Sequence, residues 1–82
     1  MIYQLRLKPS ALKNLNKLSK TDYYRVIKVF ESLAIDPFMG KKLKGEYSDC
    51  YSARVWPYRI IYQIHNKELL VLVVHIGHRQ SV

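Results

Sequence analysis

The side chains best equipped for chemistry lie in the second half of the chain: Arg54, Arg59 and Arg79, with Ser52, Gln63, His75 and His78. A guanidinium is planar, permanently charged and able to bind bidentately, so converging arginines are suited to phosphate. They can hold a ground-state phosphodiester. They can also neutralise the extra charge of a pentacoordinate transition state. Histidine adds proton transfer, because its unperturbed imidazole titrates near neutrality. The stretch Lys41-Lys42-Leu43-Lys44 adds a basic loop, read as contact to a polyanion backbone without sequence preference. Cys50 is the single cysteine; it excludes an internal disulfide and a zinc-thiolate site, and a lone thiol is weak evidence for catalysis.

These residues must be brought together by folding, because charge does not separate along the chain. The chain has 82 residues, 14 Lys/Arg and 6 Asp/Glu, for a net charge of +8. Its hydrophobic residues, 49% of the total, are enough for one core and exclude intrinsic disorder. No apolar run approaches a membrane span, and residues 1–6 lack a signal-peptide core. The expectation is a single cytoplasmic domain over residues 1–82 with an anionic partner, nucleic acid first and an acidic protein second.

The pattern predicts a strand over 2–8, ended by Pro9, then a helix over about 9–19 on the spacing of Ala11, Leu12, Leu15 and Leu18, with Lys13, Asn14, Asn16 and Lys17 on the wet side. Tyr23, Val26, Ile27, Phe30, Leu33 and Ala34 form a helical stripe over about 21–35, stopped by Asp36-Pro37. Residues 37–50 read as a loop. Residues 51–55 and 58–65 alternate, Trp56-Pro57 connects them, and Glu68 to Ile76 reads as a central strand buried on both faces. The order is β-α-α-β-β-β, an α+β fold with an antiparallel sheet and a helical hairpin on one face. Strand parity then puts Arg54, Arg59, Gln63, His75 and Arg79 on the opposite, open face, and turns Tyr51 and Tyr62 inward.

The segments Lys42-Leu43-Lys44-Gly45, Asp49-Cys50-Tyr51-Ser52-Ala53-Arg54-Val55, Tyr58-Arg59-Ile60-Ile61-Tyr62 and His75-Ile76-Gly77-His78-Arg79, in this element order, resemble the RelE/ParE superfamily of small bacterial and archaeal toxins, on the RelE side. The resemblance covers essentially the whole chain. It implies the toxin of a type II toxin-antitoxin system: an endoribonuclease that cuts mRNA in the ribosomal A site. It also implies a RelB-like antitoxin, contact with 16S rRNA, and no cofactor, metal or membrane. Arg59 and Arg79 match the family's catalytic arginines, and Arg54 falls where RelE carries a functional lysine; Tyr58 matches in type without a catalytic role. The sequence departs at Ser52 and His78, where RelE has lysines, and carries no counterpart up to Val82 of a functional tyrosine that follows the terminal arginine. Either the chain continues further or another residue does that work.

For such a nuclease the 2′-OH of RNA is the nucleophile and a cyclic 2′,3′-phosphate the first product. Arg59 and Arg79 are assigned to the scissile phosphate and Arg54 to its stabilisation or to strand positioning. His78, beside Arg79, is the favoured proton-transfer residue, while His75 reads as structural. Ser52, Gln63, His75, Lys41, Lys42 and Lys44 form the expected RNA-binding set. Trp56 reads as an aromatic packed at the sheet edge. Two alternatives share the fold: a ParE-like toxin directed at DNA gyrase, and an inactivated relative that binds RNA or antitoxin without cutting.

Overall fold

The computed structural model describes residues 2–45 and 49–78. Strand β1 (Gln4–Leu7) leads into α1 (Pro9–Asn16), then α2 (Lys20–Ile35), a 3-10 turn (Pro37–Met39), β2 (Lys41–Lys42), β3 (Cys50–Val55), β4 (Tyr58–His65), a further 3-10 turn (Asn66–Glu68) and β5 (Leu70–His78). The five strands form one sheet in the order β1-β5-β4-β3-β2. The expected architecture holds with two corrections. β1 pairs with β5 in parallel, so the sheet is mixed rather than wholly antiparallel. Residues 37–50 are not all loop, because Lys41 and Lys42 add a short edge strand antiparallel to β3.

Both helices cover the same sheet face. Ala11 and Leu15 of α1 and Val26, Phe30 and Leu33 of α2 join Ala53, Val55, Ile60, Tyr62, Val71, Val73 and Ile76 in one buried cluster. Proline opens α1, where its missing N–H costs nothing. Ser19 caps α2 by accepting a hydrogen bond from the Asp22 backbone N–H at 3.2 Å. The hydroxyl of Tyr58 donates to Asp22 Oδ2 at 3.0 Å and ties the β3–β4 hairpin to α2. That bond to a carboxylate, with some burial, raises the Tyr58 phenol above its ordinary pKa.

A register shift lies between Ile61 and Tyr62: Ile61 faces His75, yet Tyr62 faces Val73, so Val74 is the extra residue of β5. Simple alternation would put Val71 and Val73 on the face of His75. The shift turns them onto the helix face instead, where both are fully buried. Helix α1 serves this irregular stretch. Ser10 Oγ donates to the Val74 carbonyl at 3.2 Å, and Asn14 Oδ1 accepts from the Ile76 N–H at 3.3 Å. Ser10 and Asn14 stand four residues apart, hence on one side of the helix. Asn14 therefore turns to the sheet and not, as its polarity implied, to solvent. The central strand is also not buried on both faces, for His75 is exposed and Leu70 and Leu72 are half-buried.

Tyr62 fixes the approach to β2. Its ring is fully buried, and its hydroxyl donates to the Pro37 carbonyl at 2.6 Å. It stacks on Tyr51 at 5.8 Å, and Tyr51 meets the edge of Phe38 at 6.0 Å. Gly40 passes so close that an added Cβ would lie 2.2 Å from the Tyr62 hydroxyl and 2.8 Å from the Ser52 carbonyl. Burial pushes the Tyr62 phenol up to about 12.

Tyr62→Phe strips the buried Pro37 carbonyl of its donor, and a loss of about 1–3 kcal/mol in urea unfolding is expected. Gly40→Ala should be comparably destabilising, since a backbone carbonyl as well as the phenol must give way. The phenol is held neutral in the fold, so its contribution is complete below about pH 10, where the unfolded chain begins to ionise. It is lost as pH rises toward 12. Unfolding midpoints measured between those pH values should fall more steeply for the native chain than for Tyr62→Phe.

Candidate functional site

Residues directly opposite one another in a ladder share a face. Arg54 pairs with Arg59, and Arg59 with Gly77. The next row on the same face runs Lys41, Ser52, Ile61, His75. The row after that runs Cys50, Gln63, Leu72 and Arg6. All lie on the face that the helices leave open. The expected grouping of Arg54, Arg59, Gln63 and His75 is thus present in the register. The shift at Val74 falls beyond His75 and so leaves the parity of His75 and Gly77 intact. Arg79 lies outside the described residues.

Lys41, Leu43, Ser52, Arg54 and Arg59 line a cleft of about 440 Å³ on this face. It has a floor of β3 and β4 and a wall made by β2 and the residue that follows it. The Leu43 N–H donates to the Cys50 carbonyl at 3.0 Å, which holds that wall against β3. Among the described residues three cations and a hydroxyl line the cleft, and no carboxylate does. Among the described residues the ion pair is Arg25 with Asp22, on α2. Neither Arg54 nor Arg59 has an acidic partner among them. Two like charges therefore stand directly across a ladder, an arrangement that disfavours folding by up to roughly 1 kcal/mol. A bound anion removes that repulsion.

Other expected residues fall elsewhere. Lys42 pairs with Tyr51 and so belongs to the helix-side parity, away from the cleft. Lys44 is exposed beyond β2 and does not line the cleft. His78 pairs with Tyr58, and its ring packs edge-on against that tyrosine with centroids 5.7 Å apart. Tyr58 reaches toward α2, so His78 shares the helix side of the sheet, and the expectation that it joins Arg54 and Arg59 is corrected. The error came from chain adjacency: His78 was chosen because it neighbours Arg79 in sequence, and adjacency does not place a side chain on the face of Arg54 and Arg59. His75 is exposed and sits diagonally from Arg59, two positions along β5 from its partner Gly77.

Gln63 is on the open face but engaged. Its Nε2 donates to Asp49 Oδ2 at 3.4 Å, and its Oε1 contacts His65 Nε2 at 3.1 Å. The Cys50 thiol points to the other Asp49 oxygen at 3.6 Å. Burial, then the Asp49 carboxylate, raise the Cys50 pKa, which keeps it a thiol. Trp56 is 54% exposed at the hairpin, more open than an edge-packed aromatic. Among the described residues no group of His, Cys, Asp and Glu is arranged to hold a metal ion, and no helix is long and apolar enough to cross a membrane. The residue whose place was least legible in the sequence is Lys41. Its separation from Lys42 depends on a two-residue strand with no hydrophobic pattern of its own; Gly40, tight against Tyr62, was the available signal.

Comparison with known proteins extends these observations. The profile of the ParE toxin of the type II toxin-antitoxin system parDE matches residues 5–82. Toxin RelG of Mycobacterium tuberculosis is 30% identical over all of this chain and 97% of its own length. A RelE-like toxin protein of Escherichia coli is 31% identical, over 98% of this chain and 86% of its own. A chain of the toxin-antitoxin complex RelBE2 of M. tuberculosis superposes with a TM-score of 0.89 at 30% identity, covering 96% of this chain and 93% of that one. The archaeal RelE–RelB complex of Pyrococcus horikoshii gives 0.84 at 26% identity, with both chains covered in full. In sequence over nearly its whole length, and in fold, the chain belongs to the RelE/ParE family of type II toxin-antitoxin toxins.

Proposed function

We propose that this toxin is a ribosome-dependent endoribonuclease of the RelE type, which stops translation by cutting mRNA in the A site. The observation that carries the reading is the Arg54–Arg59 pair, without an acidic partner among the described residues and facing a cleft lined by cations and a hydroxyl. A gyrase-directed toxin has no evident use for two opposed guanidiniums on an open sheet face. A phosphodiester has a direct one. Arg59 and Arg79 grip the scissile phosphate, and Arg54 stabilises the charge that develops on it. The substrate's 2′-OH attacks in line, so no external nucleophile is needed. His75, on the same face and diagonal to Arg59, takes the proton-transfer role in place of His78. The partner is a RelB-like antitoxin, as in the RelBE2 and P. horikoshii complexes.

Three outcomes test this. Purified toxin added to translating ribosomes should cut mRNA at defined positions, and Arg59→Ala should lower the single-turnover rate by about 10²–10³-fold. Growth arrest without cleavage would favour the gyrase-directed alternative. In the same assay His75→Ala should slow cleavage at least ten times more than His78→Ala does, on the roughly 10²-fold scale of a lost acid or base; the reverse order would return the role to His78. Finally, inorganic phosphate should raise the melting temperature above an equal ionic strength of chloride. Arg54→Ala should abolish that difference while itself stabilising the free protein by a few tenths of a kcal/mol at low salt.

A further inference from the structure

The sequence presents Lys41, Lys42 and Lys44 as one basic run, yet the ladder treats them differently. Lys41 pairs with Ser52 and Lys42 with Tyr51, so the two neighbours project to opposite sides of the sheet. Lys41 lines the cleft with Ser52, Arg54 and Arg59; Lys42 and Lys44 do not. Lys41 stands diagonally from Arg54, two positions along β3 from its partner Ser52. Such diagonal neighbours lie about 7–8 Å apart, within joint reach of long side chains. Lys41 is exposed and, among the described residues, has no acidic partner. Its place on the edge is fixed by the residue before it. The preceding Gly40 is wedged against the Tyr62 hydroxyl and the Ser52 carbonyl, and the Tyr62 hydroxyl is bonded to Pro37.

We infer that Lys41 is a phosphate-positioning residue of the Arg54–Arg59 cleft, in contrast to Lys42, which contributes only to the long-range attraction of polyanions. In physical terms Lys41 supplies, from the edge strand, the cation that the short Ser52 side chain in the same row cannot. A lysine suits this place, because a mobile point charge can follow a phosphate that the planar guanidiniums orient. The ligand is a phosphodiester of single-stranded RNA. The inference deepens the nuclease reading and rests on it for the identity of that ligand.

The test compares two substitutions that remove the same net charge. Lys41→Ala and Lys42→Ala are measured for binding of a short single-stranded RNA across a salt series, for the phosphate-dependent rise in melting temperature, and for mRNA cleavage on ribosomes. Lys41→Ala should weaken RNA binding at least fivefold more than Lys42→Ala and reduce the steepness of the salt dependence by about 0.7, the loss of one phosphate contact. It should raise KM more than it lowers kcat, with the melting temperature in chloride unchanged. Lys41→Arg, and the double change Lys41→Ala with Ser52→Lys, should each restore most of the loss, since both return a cation to the same row. Equal effects of Lys41→Ala and Lys42→Ala in all three assays would overturn the inference, as would failure of both restorations. If the native chain cuts no mRNA but its phosphate and RNA responses depend on Lys41 and not on Lys42, the nuclease reading falls and the assignment of Lys41 stands.

Discussion

The hydrogen bond from the Tyr62 hydroxyl to the Pro37 carbonyl is the constraint on which the cleft depends. Tyr62 sits in the middle of β4 with its ring in the helix-side core. Pro37 begins the turn that leads out of α2 toward the sheet edge. One phenol therefore satisfies a buried backbone acceptor, anchors the aromatic run through Tyr51 to Phe38, and sets the level at which Gly40 crosses β3. Without that anchor, two lysines in succession have little reason to stay on a sheet edge, since they bury nothing and repel each other. The polar end of a core residue thus determines where a cation stands on the far side of the sheet.

The two faces of the sheet follow different rules. The helix face is built from packed apolar side chains, and its few polar atoms are bonded: Tyr58 to Asp22, Tyr62 to Pro37. The open face carries Arg54 directly opposite Arg59 with no counter-charge among the described residues. Folding gains nothing from that arrangement. Helix α1, the α2 cap and the core must offset the repulsion. A positive charge left unbalanced in a preorganised site is worth more to a transition state than one already engaged in an ion pair, because no partner has to be displaced first.

Much of this was legible in the sequence. Alternation over 58–65 located β4 to the residue, and the stripe from Tyr23 to Ala34 located α2 within one residue at its start. Apolar spacing reports burial directly, so elements that bury a face are readable. The parity of Arg54 and Arg59 was readable for the same reason. What stayed hidden was whatever burial does not decide. The two residues of β2 have no apolar member. The parallel pairing of β1 with β5 joins segments more than sixty residues apart. Asn14 looked solvated because nothing local shows that a strand backbone 62 residues away needs an acceptor at Ile76. His78 was misplaced because adjacency in the chain was given weight over parity.

The extra residue at Val74 shows why both faces can be right at once. A nine-residue strand with strict alternation would have to choose between burying Val71 and Val73 and presenting His75 beside Arg59. The register shift removes that choice: after Val74, His75 and Gly77 keep the parity of the arginines, and before it Val71 and Val73 turn into the core. The shift leaves the Val74 carbonyl and the Ile76 N–H needing partners where β1 has already ended at Leu7, and α1 supplies both from Ser10 and Asn14. The polar residues of α1 therefore support the chemistry of the opposite face by making an irregular strand affordable. Their role is to let one strand serve a hydrophobic core and a charged cleft in succession.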